Sequence, residues 1–234
     1  MEFANPLIRG KLIKRYKRFL ADVELENGET VTAHCANSGS MLECKAPGSE
    51  VWLSPATNPN RKLKYTWELI KIGDGLVGIN TSHPNALVEA AVKDGTIKEL
   101  AGYDSVRREV KYGKNSRIDL LLESDGRPKC YVEVKNVTLK RGDGPAEFPD
   151  AVTSRGAKHL EELSDMVAEG HRAVMVYLVQ REDCDSFTIA EDIDPTYGDA
   201  LRKALANGVE AVCYTCKLTP KAITVDTSIQ IAFK

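Results

Sequence analysis

The chain predicts an α/β (α+β) protein of two domains, an N-terminal β-barrel and a C-terminal mixed sheet with helices. Three observations predict it. Up to about Asn80 short β-type runs alternate with Gly and Pro, and no long helical period appears. From about Thr81 helical periods alternate with apolar strands. Within the second region, Arg117 to Glu123 and Cys130 to Lys135 flank a turn holding Asp125-Gly126, the pattern of a β-hairpin. A length of 234 residues allows one or two domains, and the change of pattern puts the boundary between 1–80 and 81–234.

The first run, Leu7 to Leu25, is long for one strand and predicts a bend or break near Arg15. Asn27-Gly28 predicts a tight turn. Strands are expected over Thr30 to Cys35, Glu50 to Leu53 and Tyr65 to Ile72, with Gly73, Gly75 and Gly78 closing the region. Short strands so punctuated suit a small barrel of the OB type. Ser82-His83-Pro84 starts a helix with Pro at its first position, and Gly95 stops it. Val106 to Tyr112 reads as a strand and the hairpin follows. Ser154 is expected to cap a helix running to about Glu169, with Leu160, Leu163, Met166 and Val167 on its apolar side. Its polar stripe is Arg155, Lys158, His159 and Glu162. Arg172 to Gln180 is a continuous apolar run, a strand covered on both faces. Asp194-Pro195 opens a helix that ends near Asn207-Gly208. Val209 to Cys216 and Ile223 to Phe233 are the last strands.

The hairpin carries the chemistry. Folded about Gly126, it places Ile118 opposite Val134, Leu120 opposite Val132, and Leu122 opposite Cys130, an apolar face. On the other face Leu121 meets Tyr131, and Asp119 meets Glu133, with Lys135 two residues on. Facing carboxylates repel unless a cation lies between them. A divalent metal is one solution, since Mg²⁺ uses one or two protein carboxylates and keeps waters. Neutralisation by Lys135 and Arg117 is the other.

Apolar and charged contents of 42% and 28% are those of an ordinary globular protein, and the net charge is −2. The distribution is uneven. The first twenty residues hold six bases, Lys14, Arg15, Lys17 and Arg18 among them, against Glu2. Such a stripe either meets nucleic acid or protects an edge strand from aggregation. Farther on, Arg61, Lys62 and Lys64 interleave with Tyr65 and Trp67, cations and π-faces that suit a nucleic-acid strand. No apolar run reaches membrane-span length and no signal peptide is legible, so a cytoplasmic protein without membrane contact is expected. The six cysteines then read as thiols. Cys213-Tyr214-Thr215-Cys216 is half of a zinc site at most, and structural thiols are the simpler reading.

The element order, with Asp119 on one strand and Glu133-Val134-Lys135 on the next, resembles the PD-(D/E)xK nuclease superfamily. The resemblance implies a metal, Mg²⁺ or Mn²⁺, held by Asp119, Glu133 and the Val134 carbonyl. It implies a Lys135 that activates water or stabilises the phosphate. Some members add an acid from the first helix, and Glu89 occupies that place here. One departure is that Ile118, not proline, precedes Asp119.

Longer blocks narrow the resemblance. His34-x-x-Asn37-Ser38-Gly39-x-Met41, Tyr65-Thr66-Trp67-Glu68-Leu69 and Ser116-Arg117-Ile118-Asp119 resemble the bacterial sugar fermentation stimulation protein A family. So do Tyr131-Val132-Glu133-Val134-Lys135-x-Val137-Thr138-Leu139 and Phe148-Pro149-Asp150 through His159-Leu160. The resemblance implies an OB-like domain joined to a nuclease-like domain, DNA binding without marked sequence preference, and a regulatory link to sugar metabolism, maltose in particular.

Two functions follow. One is a sequence-independent DNA-binding protein; no helix-turn-helix offers base readout. The other is a Mg²⁺-dependent nuclease acting through Asp119, Glu133 and Lys135. A small phosphorylated metabolite is a third ligand class. Arg155, Lys158 and the barrel bases Lys14, Arg15, Lys17, Arg18, Arg61, Lys62 and Lys64 are the expected DNA contacts. His159 is expected either beside the phosphate with Arg155 or on a solvated helix face.

Overall fold

The computed structural model describes residues 1–113 and 116–232. The N-terminal part holds β1 (Ile8–Tyr16), β2 (Leu20–Leu25), β3 (Thr30–His34), β4 (Glu50–Pro55), β5 (Tyr65–Ile72) and β6 (Gly75–Gly78). Their order is β3-β2-β1-β4-β5-β6, and a parallel pairing of β3 with β5 closes the first five into a barrel. This is the OB arrangement. Leu12, Val23, Val31, Leu53, Trp67 and Ile70 fill its interior. The long first run is not one strand. It reverses at Lys17 and Arg18, whose φ angles are 45° and 63°, so β1 and β2 are the arms of a hairpin.

The chain continues as α1 (Pro84–Lys93), β7 (Ser105–Tyr112), β8 (Ser116–Glu123), β9 (Cys130–Val137), β10 (Leu139–Lys140) and β11 (Ala146–Phe148). Then come α2 (Ser154–Ala168), β12 (Arg172–Val179), β13 (Ser186–Ile189), α3 (Pro195–Ala206), β14 (Glu210–Leu218), β15 (Ile223–Ser228) and β16 (Gln230–Ile231). The main sheet runs β15-β14-β12-β9-β8-β7. Its centre, β9, β12 and β14, is parallel and its flanks are antiparallel. That centre explains the uninterrupted apolar run of β12, which has a helix layer or the barrel on each side.

Helix starts match the expected signals, with one shift. Pro84 and Pro195 sit in the first turns of α1 and α3, and Asp194 caps α3 through the Tyr197 N–H. Thr153, not Ser154, caps α2 by accepting from Gly156 N at 3.1 Å. The expected last strand divides. β15 pairs with β14, whereas β16 joins a small sheet ordered β10-β11-β13-β16; Phe233 lies outside the described residues. That small sheet was not expected, because strands of two to four residues show no period.

Two layers cover the main sheet. α1 and the barrel residues Trp52 and Leu69 pack on one face against Leu120, Val132, Val174 and Tyr214. α2 and α3 pack on the other against Leu121, Met175, Tyr177 and Cys213. Cys216 falls on the first face and Cys213 on the second, as an odd separation along a strand requires. They cannot grip one zinc ion, and both are free thiols. Among the described residues no helix is long and apolar enough to cross a membrane.

Candidate functional site

β8 and β9 pair in the expected register, Leu122 with Cys130, Leu121 with Tyr131 and Leu120 with Val132. There the ladder ends. The Val134 N–H donates to Asp119 Oδ2 at 2.7 Å, so a side chain takes the place of the next rung. On the other flank Glu109, at φ 55°, breaks the regular extended backbone of β7 opposite the same point. The β7–β8 arm turns over here. Val106 and Leu122 pack toward α1, whereas Val110 and Ile118 pack toward α2. This corrects the expected apolar face: Ile118 does not share it with Val134.

Glu133 points into the α2 layer and is 2% exposed. Lys135 Nζ donates to its Oε1 at 2.7 Å, and His159 Nδ1 reaches the same oxygen. Arg155 Nε donates to His159 Nε2 at 3.2 Å, which leaves the neutral ring's proton on Nδ1, facing Glu133. His159 is therefore neither on a solvated face nor free to meet a phosphate. It is a buried partner of Glu133. Glu133 Oε2 is buried with no hydrogen-bond partner.

The two carboxyls are pushed apart electrostatically. Burial, then the charge of Glu133, raises Asp119 to about 6 against the pull of the Val134 N–H, Asn85 and Lys135. Burial also pushes Glu133 upward, but the His159 hydrogen bond and the Lys135 charge outweigh it and hold Glu133 below its ordinary range. Among the described residues no three His, Cys, Asp or Glu side chains form a ready metal cage. Two carboxylates suffice for Mg²⁺, whose remaining ligands are waters. A coupled pair with one unpartnered oxygen fits such a cation.

The first helix contributes a different residue from the one expected. Glu89 is paired with Lys93 at 2.6 Å and Arg108 at 3.1 Å. Asn85, one turn earlier, donates to Asp119 Oδ1 at 2.8 Å and stands 3.4 Å from Glu109 Oε1. Nothing in the local sequence singled out Asn85; only the docking of α1 on β8 brings it there.

The expected DNA contacts divide between free and committed groups. Lys17 and Arg18 are exposed at the β1–β2 turn. Lys14 lies 3.7 Å from Asp22 and over the Tyr16 ring. Arg15 is a structural tie. Its guanidinium donates to the carbonyls of Asn37 at 2.9 Å, Gly39 at 3.0 Å and Ser40 at 3.4 Å. Arg61 donates to Thr66 Oγ1 and Lys64 to the Pro59 carbonyl, while Lys62 is exposed. Lys158 reaches Ser116 Oγ at 3.4 Å and Glu162 at 3.5 Å.

Two further contacts join the domains, and sequence reading missed both. Asp150 accepts from Met41 N at 2.8 Å, and its carbonyl accepts from Ser40 Oγ at 2.6 Å. A Cβ at position 39 would stand 2.8 Å from Asp150 Oδ2, so a larger residue there would displace the carboxylate that holds Met41 N. At the start of α1, His83 Nε2 lies 2.8 Å from Glu68 Oε2 of β5, and Ser54 and Asn80 also donate to Glu68. Burial pushes Glu68 up, but the His83 and Ser54 hydrogen bonds hold it below its ordinary range.

Comparison with known proteins agrees with this architecture. Residues 13–79 match the model of the SfsA N-terminal OB domain, and residues 82–222 match that of the sugar fermentation stimulation protein RE domain. A sugar fermentation stimulation protein homolog of Paramagnetospirillum magneticum is 66% identical, covering 95% of this chain and 94% of its own. One of Rhodospirillum centenum is 62% identical, over 99% and 100%. The solved structure of Pyrococcus furiosus SfsA in complex with Ca²⁺ superposes with a TM-score of 0.89 at 25% identity, covering 99% of this chain and 98% of that one. With both halves matched in order and at such identity, the chain belongs to the sugar fermentation stimulation protein A family.

Proposed function

We propose that this protein binds DNA without marked sequence preference. In this reading Asp119, Glu133 and the Val134 carbonyl hold a divalent cation, Mg²⁺ or Mn²⁺, against the phosphodiester. The observation that carries the reading is the buried Asp119–Glu133 pair, raised at one member and left with an unpartnered oxygen at the other. Paired carboxylates without a cation would repel phosphate, so a simple anion site would not contain them. The Pyrococcus furiosus relative is solved in complex with Ca²⁺, which supports a divalent cation as a ligand of this chain. When bound, such a cation supplies Lewis-acid stabilisation of charge on the phosphate. Lys135 adds a positive charge, His159 orients Glu133, and Asn85 orients Asp119.

A second reading is a Mg²⁺-dependent nuclease acting through Asp119, Glu133 and Lys135, which lies beside the pair; one observation favours binding alone. The Lys135 ammonium is engaged by Glu133 rather than free in the cleft. In that case the sugar-metabolism role in the family's name would be exercised through occupancy of DNA. Labelled DNA incubated with the protein, with and without Mg²⁺ or Mn²⁺, separates the readings when binding and cleavage are followed together. Metal-dependent cleavage selects the second. Metal-stimulated binding without cleavage selects the first, and no binding under any condition rejects both.

A further inference from the structure

Backbone strain singles out one strand residue. Among the described residues Lys17, Arg18, Met41, Glu43 and Glu109 are the non-glycine residues with positive φ. The first four lie in turns or loops, whereas Glu109, at 55°, lies inside β7. Glycine adopts that conformation freely, and a residue with a side chain adopts it only at a steric cost. A strand that merely had to turn over would be better served by glycine there. A glutamate in its place points to a side chain kept for what it meets.

The contacts identify what it meets. Arg108 pairs with Leu120 and Val110 with Ile118, so position 109 stands opposite Asp119. Asn85 Nδ2 lies 2.8 Å from Asp119 Oδ1 and 3.4 Å from Glu109 Oε1, one amide nitrogen shared by two carboxylates. Asp119 therefore has an acid on the strand at either side, Glu133 on β9 and Glu109 on β7. Glu109 is exposed. Among the described residues its carboxylate makes no ion pair. Arg117 donates to its carbonyl instead, at 3.1 Å, and Arg108 pairs with Glu89.

A third carboxylate beside two others is unfavourable unless a cation is shared. Glu133 Oε2, buried and without a hydrogen-bond partner, points independently to the same ligand. The three acids do not form a ready cage. They need not, because Mg²⁺ keeps several waters and a carboxylate beside those waters still contributes its charge.

We infer that Glu109 is the further carboxylate of the Asp119–Glu133 cation site. It enters from β7, opposite Asp119, and fills the part that the resemblance gave to Glu89 on α1. Glu89 is neutralised by Lys93 and Arg108 and stays out of the site. Asn85 holds the Glu109 and Asp119 carboxylates side by side. The inference rests on the cation reading above and adds a residue to it.

The test is calorimetric titration of the full-length protein with MnCl₂, without DNA, beside thermal denaturation in EDTA. Glu109→Gln should weaken Mn²⁺ binding about tenfold or more, since even a residue behind a metal ligand is typically worth that much. Glu89→Gln should leave the affinity unchanged. Glu109→Gly relieves the φ, so its Tm in EDTA should equal or exceed that of wild type while its Mn²⁺ affinity falls as in Glu109→Gln. Wild-type affinity in either Glu109 variant would overturn the inference. So would a loss in Glu89→Gln as large as that in Glu109→Gln. A wild type that takes up no Mn²⁺, or an Asp119→Asn protein that binds it equally well, would instead overturn the cation reading, so the two failures are distinct.

Discussion

Asp119 and Val134 are joined side chain to main chain: the carboxylate accepts the Val134 N–H at 2.7 Å where β8 and β9 stop pairing. The sheet thus opens at the residue that must be both buried and charged. β8 stays with β7, β9 continues along β12, and Asp119 occupies the fork.

The pH dependence follows with a definite sign. Asp119 ionises near 6 in the folded protein and near about 3.9 when unfolded. Between these values the folded state keeps a proton that the unfolded state has released. Stability therefore falls as pH rises from about 4 to about 6, then levels off. Asp119→Asn cannot ionise but loses one accepted hydrogen bond. It should be more stable than wild type by about 1–2 kcal/mol at pH 7.5 and no more stable at pH 4. Thermal denaturation at both values checks this. Added Mg²⁺ should raise the Tm of wild type at pH 7.5 and leave that of the variant where it was.

Lys135 and Asp119 should be separable in a cleavage assay. With metal-dependent cutting in the wild type, Lys135→Ala should lower the rate by about 10²–10³-fold while Mg²⁺ still raises Tm. Asp119→Asn should lose both responses. A Lys135→Ala protein that cuts at the wild-type rate would remove Lys135 from the chemistry and leave it as the partner of Glu133.

The basic stripe is no longer one group. Lys17→Ala with Arg18→Ala should leave the unfolding free energy within about 0.5 kcal/mol of wild type and reduce the salt slope of DNA binding by about 2. Arg15→Ala should instead destabilise the fold by about 2 kcal/mol, because four carbonyls, those of Arg18, Asn37, Gly39 and Ser40, lose a charged donor. Urea titration beside salt-dependent anisotropy distinguishes the two. A stable Arg15→Ala protein would show that the loop of residues 37–40 holds itself.

The Glu68–His83 contact makes a further test. His83→Ala removes one of three hydrogen-bonding partners of the buried Glu68 carboxylate, at a cost of about 1.5–3 kcal/mol near neutral pH. Glu68 is held below its ordinary range in the fold, so its contribution is present above about 4.3 and fades as pH falls through the folded value. The deficit of His83→Ala should accordingly shrink in acid. A deficit unchanged between pH 7 and pH 3.5 would mean that lost packing against Phe3, not charge, is responsible.

Much of this was legible in the sequence, and what was missed has a common cause. The hairpin register could be read because a period of two ties hydrophobicity to facing, and Leu120 to Leu122 obey it. The reading failed one step later, at Ile118, because the arm turns over at Glu109 and Asp119. Helix starts were readable from Pro84, Asp194 and Pro195, since capping chemistry is local. The roles of Asn85, His159 and Arg15 were not, since each depends on which distant backbone it meets. Glu89 was placed by analogy of position, and its carboxylate is paired with Lys93 and Arg108 instead.

Trp52 and Leu69 belong to the barrel by sequence, yet they pack in the same apolar layer as α1 and the main sheet. A fragment beginning at residue 81 would leave that layer open to water and would lose the partner of His83. The linker can be written as a boundary, but the core does not divide there. Evolution could not have exchanged one half for another without redesigning the surface between them. A variant that loosens the barrel should therefore reach Asp119 through α1 and Asn85 without touching a residue of the site.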